Sequence, residues 1–321
     1  NQGSAFWPFD CEGTLVQYND FRHLRRSEAD AYVCHFDYNC IDSVMQYNFG
    51  YDVEGGLIEI IVLSSFDGFQ EDAIARYNVG VDVGWRNKTN GAGIFFSGRV
   101  TRSKVYNNTV ISTDLYASYK AISVNNWGGE WPNNNAVHNN LFLATGNASG
   151  FEEDGRRAQL GNIVSHNLYH GSITPPAADQ APVTGDPLIA NPASIDPDDL
   201  KVTLGSAAIG AGLIISDNGG WDYFDNPLPA DSAPTIGFHE FQTEGTAWAR
   251  YLIDSNGFVN TGNGFMDFLW VGLNRNDPGD WIYSEVASSW FYAPEEIVMP
   301  AYGAWSYLPD LAVLNPTGVS G

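Results

Sequence analysis

Carboxylates recur at fixed distances along the first part of this chain. Asp37 and Asp67 each follow a phenylalanine and stand 11 residues before an asparagine, Asn48 and Asn78, while Asp52 and Asp82 stand 4 residues after those asparagines. Asp10 lies near the first column, 9 residues before Asn19, and His23 takes the place of Asp52 one repeat earlier. Glu54 is two residues beyond Asp52, which puts both on one face of a strand. If each repeat is one coil of a stack, carboxylates on neighbouring coils sit about 5 Å apart, as in a retaining glycosidase, and a diagonal between columns gives the roughly 6.5–9.5 Å of an inverting one. Like charges at that range push one pKa up, which suits a general acid beside an ionised base or nucleophile. Asp37, Glu54 and Asp67 are therefore the candidate catalytic residues, and Asp52, Asp82, His23, Arg25 and His35 the candidate substrate-binding ones. The scaffold offers a competing use: aspartates at turns hydrogen-bond their own backbone, and a column of them can hold Ca²⁺ structurally.

A lyase would need a base such as His, Lys, Arg or Tyr and a cation to neutralise a uronate carboxylate. His23, Arg25 and His35 stand near the same coils, with Arg102 and Lys104 further along, but these bases are scattered. Arg25 occupies the place of Glu54 one repeat earlier, so an Arg–Glu pair across coils reads equally as a structural ion pair.

What must position these residues is a repeat. Gln17-Tyr18-Asn19, Gln46-Tyr47-Asn48, Arg76-Tyr77-Asn78, Val105-Tyr106-Asn107, Val137-His138-Asn139 and Ser165-His166-Asn167 return at intervals of 29, 30, 29, 32 and 28 residues. A fixed period in this range signals a repeat architecture. Each unit holds short runs of Val, Ile, Phe and Tyr broken by Gly, Asn and Asp, and none is long and periodic enough for a helix. The reading is all-β: a parallel β-helix (solenoid) in which like residues stack about 4.8 Å apart and the marker asparagines form a ladder at a bend.

The run Phe36-Asp37-Tyr38-Asn39-Cys40, through Gln46-Tyr47-Asn48, to Asp52-Val53-Glu54-Gly55-Gly56 resembles secreted right-handed parallel β-helix proteins of the pectate-lyase-like superfamily. Gly185-Asp186-Pro187-Leu188, Leu204 to Ile209, and Trp221 to Glu240 resemble the way such helices end. The resemblance covers about residues 5–242 and implies a right-handed helix. The superfamily holds polysaccharide lyases, glycoside hydrolases, epimerases and non-enzymes, so the fold alone does not give the activity.

Composition narrows the partners. There are 15 basic against 38 acidic side chains, a formal charge of −23, and no basic cluster beyond Arg22-His23-Leu24-Arg25-Arg26. A nucleic acid or an anionic membrane needs a basic footprint, so neither is expected. No apolar run approaches the length of a membrane span. A polyanion would need Ca²⁺ as a bridge; otherwise no cofactor is required. Cys11, Cys34 and Cys40 lack the spacing of a zinc site. Cys11 and Cys40 each stand 8 residues before a marker asparagine, so stacking brings their Cα atoms to about 5 Å, compatible with a disulfide or with two buried thiols.

The chain opens inside the repeat, at Ala5-Phe6-Trp7, without an element to cover the edge strand. Upstream sequence is therefore expected to have been removed, and the bare coil from Ala5 to Val16 offers a surface for self-association. From Ser172 the rhythm breaks into proline- and aspartate-rich loops that end in an expected closing strand, Thr235 to Phe241. The domains are read as 1–242 for the helix and 247–321 for a small aromatic-rich β-domain, whose rings form either its core or a sugar-stacking platform. The expected function is a secreted, polysaccharide-active protein, a glycoside hydrolase first. A lyase, with or without Ca²⁺, and a non-catalytic extracellular adhesin or assembly subunit are the alternatives.

Overall fold

The computed structural model describes residues 4–26, 30–64, 68–85, 92–113, 119–145, 148–152 and 160–242, and beyond them six short strands. The repeats form a parallel β-solenoid. Sheet I stacks Leu15–Gln17, Val44–Gln46, Ile74–Arg76, Lys104–Tyr106, Ala136–His138 and Ile163–Ser165 in that order. Sheet II stacks seven strands: Asp20–Arg22, Phe49–Val53, Val79–Val83, Thr109–Ser112, Leu141–Ala144, Leu168–Gly171 and Val183–Thr184. Sheet III runs through Tyr32–Phe36, Gly56–Ile61, Ile94–Ser97, Tyr119–Asn125 and Ala148–Glu152, and a narrow sheet IV joins Cys40–Ile41, Gln70–Glu71 and Val100–Thr101.

Register explains the core. Met45, Ala75, Val105, Val137 and Val164 stack inward from sheet I, and Phe36, Ile60 and Phe96 do so from sheet III. β-Branched side chains suit this pleated, buried surface, and each Val or Ile taken fully from water contributes about 1.5–3 kcal/mol.

The corner between sheets I and II carries the asparagine ladder. Asn19 donates through Nδ2 to Asn48 Oδ1 (3.0 Å), and the chain continues to Asn78 (2.9 Å), Asn108 (3.0 Å), Asn140 (3.0 Å) and Asn167 (2.9 Å). Asn167 then donates to Asp179 Oδ2 at 2.9 Å. The sequence pattern places the fourth and fifth rungs one residue early. Asn107 and Asn139 are not rungs but the left-handed residues before them, at φ 52° and 55°, the place that Tyr18, Tyr47, Tyr77 and His166 fill elsewhere. The bend thus rests on the residue before each rung, and the rung itself satisfies buried backbone.

Segment 183–241 also departs from the expectation. Thr235 to Phe241 form no strand; instead Gly237 N–H donates to Asn139 O and Phe238 N–H to Thr109 Oγ1, which lays the segment along the outside of sheet II. Leu200, Val202, Ala208, Ile236 and Phe238 pack there against Phe49, Val79, Val81, Ile111, Leu141 and Leu168. Sheet II therefore has both faces buried.

The chain divides into two compact units, one of residues 1–225 with 229–241, the other of 226–228 with 242–321. The second unit is β as well: Ala247–Trp248, Tyr251–Ile253 and Val259–Asn260 pair antiparallel, as do Leu273–Asn274, Trp281–Ser284 and Ser289–Tyr292. The use of its aromatic side chains lies outside the described residues.

Candidate functional site

The column of His23, Asp52 and Asp82 is a bend. All three adopt the left-handed conformation, at φ 57°, 54° and 51°, which Asp and His tolerate better than most residues. Asp52 Oδ2 lies 2.7 Å from His23 Nδ1 and 2.5 Å from Arg25 Nη2. Burial pushes the Asp52 carboxyl up, but the hydrogen bonds and charges of Arg25 and His23 outweigh it and leave the pKa below the ordinary value. Asp82 accepts from Thr113 N–H (2.8 Å) and Thr113 Oγ1 (2.9 Å), and burial holds its carboxyl above the usual range against those bonds. Glu54, also buried, accepts from Arg26 N–H at 2.7 Å. These residues each have a structural partner on a neighbouring coil. Asp67 lies outside the described residues.

Asp37 and His35 belong to another place, the outer face of sheet III. Phe36, Ile60 and Phe96 point into the core, so the alternate residues His35, Glu59 and Phe95, which are aligned across the strands, point out. Asp37 follows directly, its Oδ1 accepting from Tyr38 N–H at 2.9 Å. Burial raises Asp37 to about 6; the Tyr38 N–H opposes the rise and the charge of Asp30 adds to it. Asp30 is also raised by burial, with Arg26 pulling it down. Glu59 is wholly buried with no hydrogen bond to either carboxyl oxygen, and burial, followed by the charges of Asp30 and Asp37, keeps it protonated. Burial drives His35 down to about 3, so its ring is neutral. His35 Nδ1 lies 2.9 Å from Ser4 Oγ and 3.5 Å from Glu59 Oε2, making the latter a contact between two uncharged groups and not an ion pair.

The site thus contains three carboxyls, Asp30, Asp37 and Glu59, linked by their charges, with Arg26 as the cation that acts on Asp30 and Glu59. Sequence reasoning identified only Asp37 of these. Glu59 carried a signal, being the lone charge in the apolar run Leu57 to Leu63, whereas Asp30 falls outside every repeated column. No cluster of three or more His, Cys, Asp or Glu side chains suited to a metal ion occurs among the described residues. Cys11 and Cys40 are free thiols whose sulfurs donate to Phe9 O (3.1 Å) and Tyr38 O (3.4 Å) on adjacent coils. No helix among the described residues is long and apolar enough to cross a membrane. Comparison of the chain with protein-family models and with curated proteins finds no match to either.

Proposed function

We propose that this chain is a secreted, polysaccharide-active protein of the pectate-lyase-like type, and that it hydrolyses glycosidic bonds at the outer face of sheet III. The observation that carries this reading is Asp37, a carboxyl held at about 6 beside a second acid, the electrostatic arrangement of a proton donor and its ionised partner. Burial keeps the proton on Asp37 and the charge of Asp30 adds to that, while Arg26 pulls Asp30 down against its own burial. In the proposed step Asp37 gives its proton to the glycosidic oxygen as the bond to the anomeric carbon breaks. Ionised Asp30, or Asp67, which follows Phe66 as Asp37 follows Phe36, acts as nucleophile or activates water. Glu54 is the remaining candidate carboxylate. His35 and Glu59 form a neutral floor, and His23, Arg25, Asp52 and Asp82 bind substrate only where it extends to the neighbouring bend. No cofactor is required; Ca²⁺ would serve the acidic columns of a polyanion-binding variant of this scheme.

The test is release of reducing ends from polysaccharides by the purified chain. Asp37→Asn should lower the rate about 10²–10⁴-fold with an unchanged melting temperature. Activity of the unaltered protein should fall as pH rises through about 6, where Asp37 loses its proton. The same paired measurement on Asp30→Asn, Glu54→Gln and Asp67→Asn assigns the second carboxylate. Full activity in Asp37→Asn would remove the basis for this site.

A lyase is the second reading, and Arg26 favours it: Nε and Nη1 of its guanidinium are buried without a hydrogen-bond partner, as a group awaiting a uronate carboxylate would be. An unsaturated, ultraviolet-absorbing product would decide for it.

A further inference from the structure

We propose that Trp7, Phe9, Tyr38 and Trp127 form a stacking platform beside Asp37 that selects a neutral glycan, binding the flat C–H faces of its rings. This rests on the reading of the sheet III face as a carbohydrate site and adds the substrate class.

The four rings make a continuous row. Centroids are 6.4 Å apart from Trp7 to Phe9 and 6.1 Å from Tyr38 to Trp127, both edge to face at 85° and 80°, and 5.9 Å from Phe9 to Tyr38, tilted by 39°, so the row is faceted and each open ring offers its own face. Trp7 also stacks on His35, at 6.5 Å and 30°, so the row runs past the residues on either side of Asp37 in the chain. Three members are unusually open for their size: Trp7 is 45% exposed, Phe9 54% and Trp127 43%. A single exposed aromatic needs no explanation, but a contiguous row next to buried acids does.

Trp127 is held in place by its backbone. Its carbonyl accepts from Ser64 N–H (3.2 Å) and Ser64 Oγ (2.8 Å), and its N–H lies in hydrogen-bond range of Asn125 Oδ1 (3.2 Å) and Ser97 Oγ (3.4 Å). Glycines clear the way for it to reach Tyr38. A Cβ on Gly68 would press on Tyr38 at 3.2 Å, and one on Gly98 would meet Trp127 O at 3.1 Å as well as the Val62 carbonyl. An indole fixed through its main chain and left open on its face loses little freedom on binding.

Charge chooses among sugars. Burial keeps the protons on Asp37 and Glu59, and Asp30 is set against the nearby cation Arg26, so the reacting centre has no net positive charge to hold a uronate or sulfated polymer. Aromatic faces complement pyranose C–H groups, leaving neutral glycans as the matching class.

The experiment uses the full chain with Asp37→Asn to stop turnover, titrated with neutral oligosaccharides of glucose, xylose and mannose, with oligogalacturonate and with chitosan oligosaccharides. At least one neutral series should bind, and Trp7→Ala and Trp127→Ala should each weaken it about tenfold, with Trp127→Phe recovering part of the loss. In the active protein those substitutions should raise KM with little change in kcat. Neither replacement touches the backbone bonds described, and unchanged melting temperatures check that both variants fold. Tryptophan variants that bind as tightly as their parent overturn the platform, as does binding of oligogalacturonate or chitosan alone, or of nothing. Neutral binding without cleavage would defeat the hydrolase reading and leave the platform standing; cleavage with an unaltered KM in both variants would do the reverse.

Discussion

An asparagine in the ladder does the work of several residues. Asn78 Oδ1 accepts from the N–H and the Nδ2 of Asn48, and its own Nδ2 donates to Met45 O and to Asn108 Oδ1. Asn78→Ala takes this partner from the Asn48 N–H and from Met45 O, while Asn48 Nδ2 keeps Val16 O and Gln46 O and Asn108 Oδ1 keeps the backbone N–H of residue 78. With roughly 1–3 kcal/mol for each group left unsatisfied and some relaxation, the loss should be about 3–5 kcal/mol. Asn19, at the half-exposed end of the ladder, should cost about 1 kcal/mol when changed to alanine. Urea unfolding of both variants measures the contrast, and equal losses would show that the ladder is not cooperative. The ladder was legible in the sequence because like residues must stack. Its exact rungs were not, because Tyr106-Asn107-Asn108 and His138-Asn139-Asn140 each offer two asparagines and only backbone conformation tells which one bends. The candidate site was legible to the extent of Asp37 and His35. Asp30 was not, since it stands at φ 63° just before the strand Tyr32–Phe36, outside every repeated column, and no spacing encodes the reach of its charge to Asp37.

At the scale of the element, bends repeat as faithfully as strands. The aspartates read as a substrate-binding column hold left-handed bends at Asp52 and Asp82, and periodicity cannot separate a residue kept for its φ from one kept for its charge. Asp82→Asn should retain both the bend and an acceptor for Thr113 and lose under about 1 kcal/mol, whereas Asp82→Ala should lose about 2–3 kcal/mol, from the strained φ and the two lost bonds. Thermal melts of the pair distinguish the roles. The turn at Gly98, φ 78°, is a stricter case, since a Cβ there runs into the carbonyl of Val62. Gly98→Ala should cost about 3 kcal/mol or more and shift the fluorescence of the neighbouring Trp127. A variant with the parent's spectrum and stability would show that this turn has room to adjust.

Across the whole molecule, the sequence announced a stack but not what lies along it. Segment 183–241 has no repeat, and its docking on sheet II depends on a handful of apolar side chains separated by loops. Burial there also sets a pH response. Glu240 is raised to about 7 by burial, with hydrogen bonds from Thr235 opposing and the Asp222 charge adding. The folded state keeps a proton that the unfolded chain releases near the ordinary carboxylate value of about 4, so this contribution is full below that value and is lost as pH rises to about 7. Buried His35 and His239, lowered by burial to about 3 and about 4, act oppositely: the unfolded chain takes up protons below about 6.5 that the folded state refuses, so stability falls as pH falls. Asp30, Asp37, Glu59 and Asp82, also raised by burial, act in the same sense as Glu240. Glu240→Gln removes one of these contributions, so its melting temperature should gain on the parent's as pH rises towards about 7 and hold that gain above it; parallel curves would deny Glu240 its role. The stack also has a grammar. Every amide in the ladder hands its proton to the coil that follows, and the sentence closes on Asp179, whose carboxyl oxygen accepts from Asn167 and which lacks the amide N–H₂ that passes the bond on. Inner coils are thus interchangeable words: one copied or dropped between Asn19 and Asn167 leaves the ladder whole, while carrying the ladder past Asp179 needs a donor in that place.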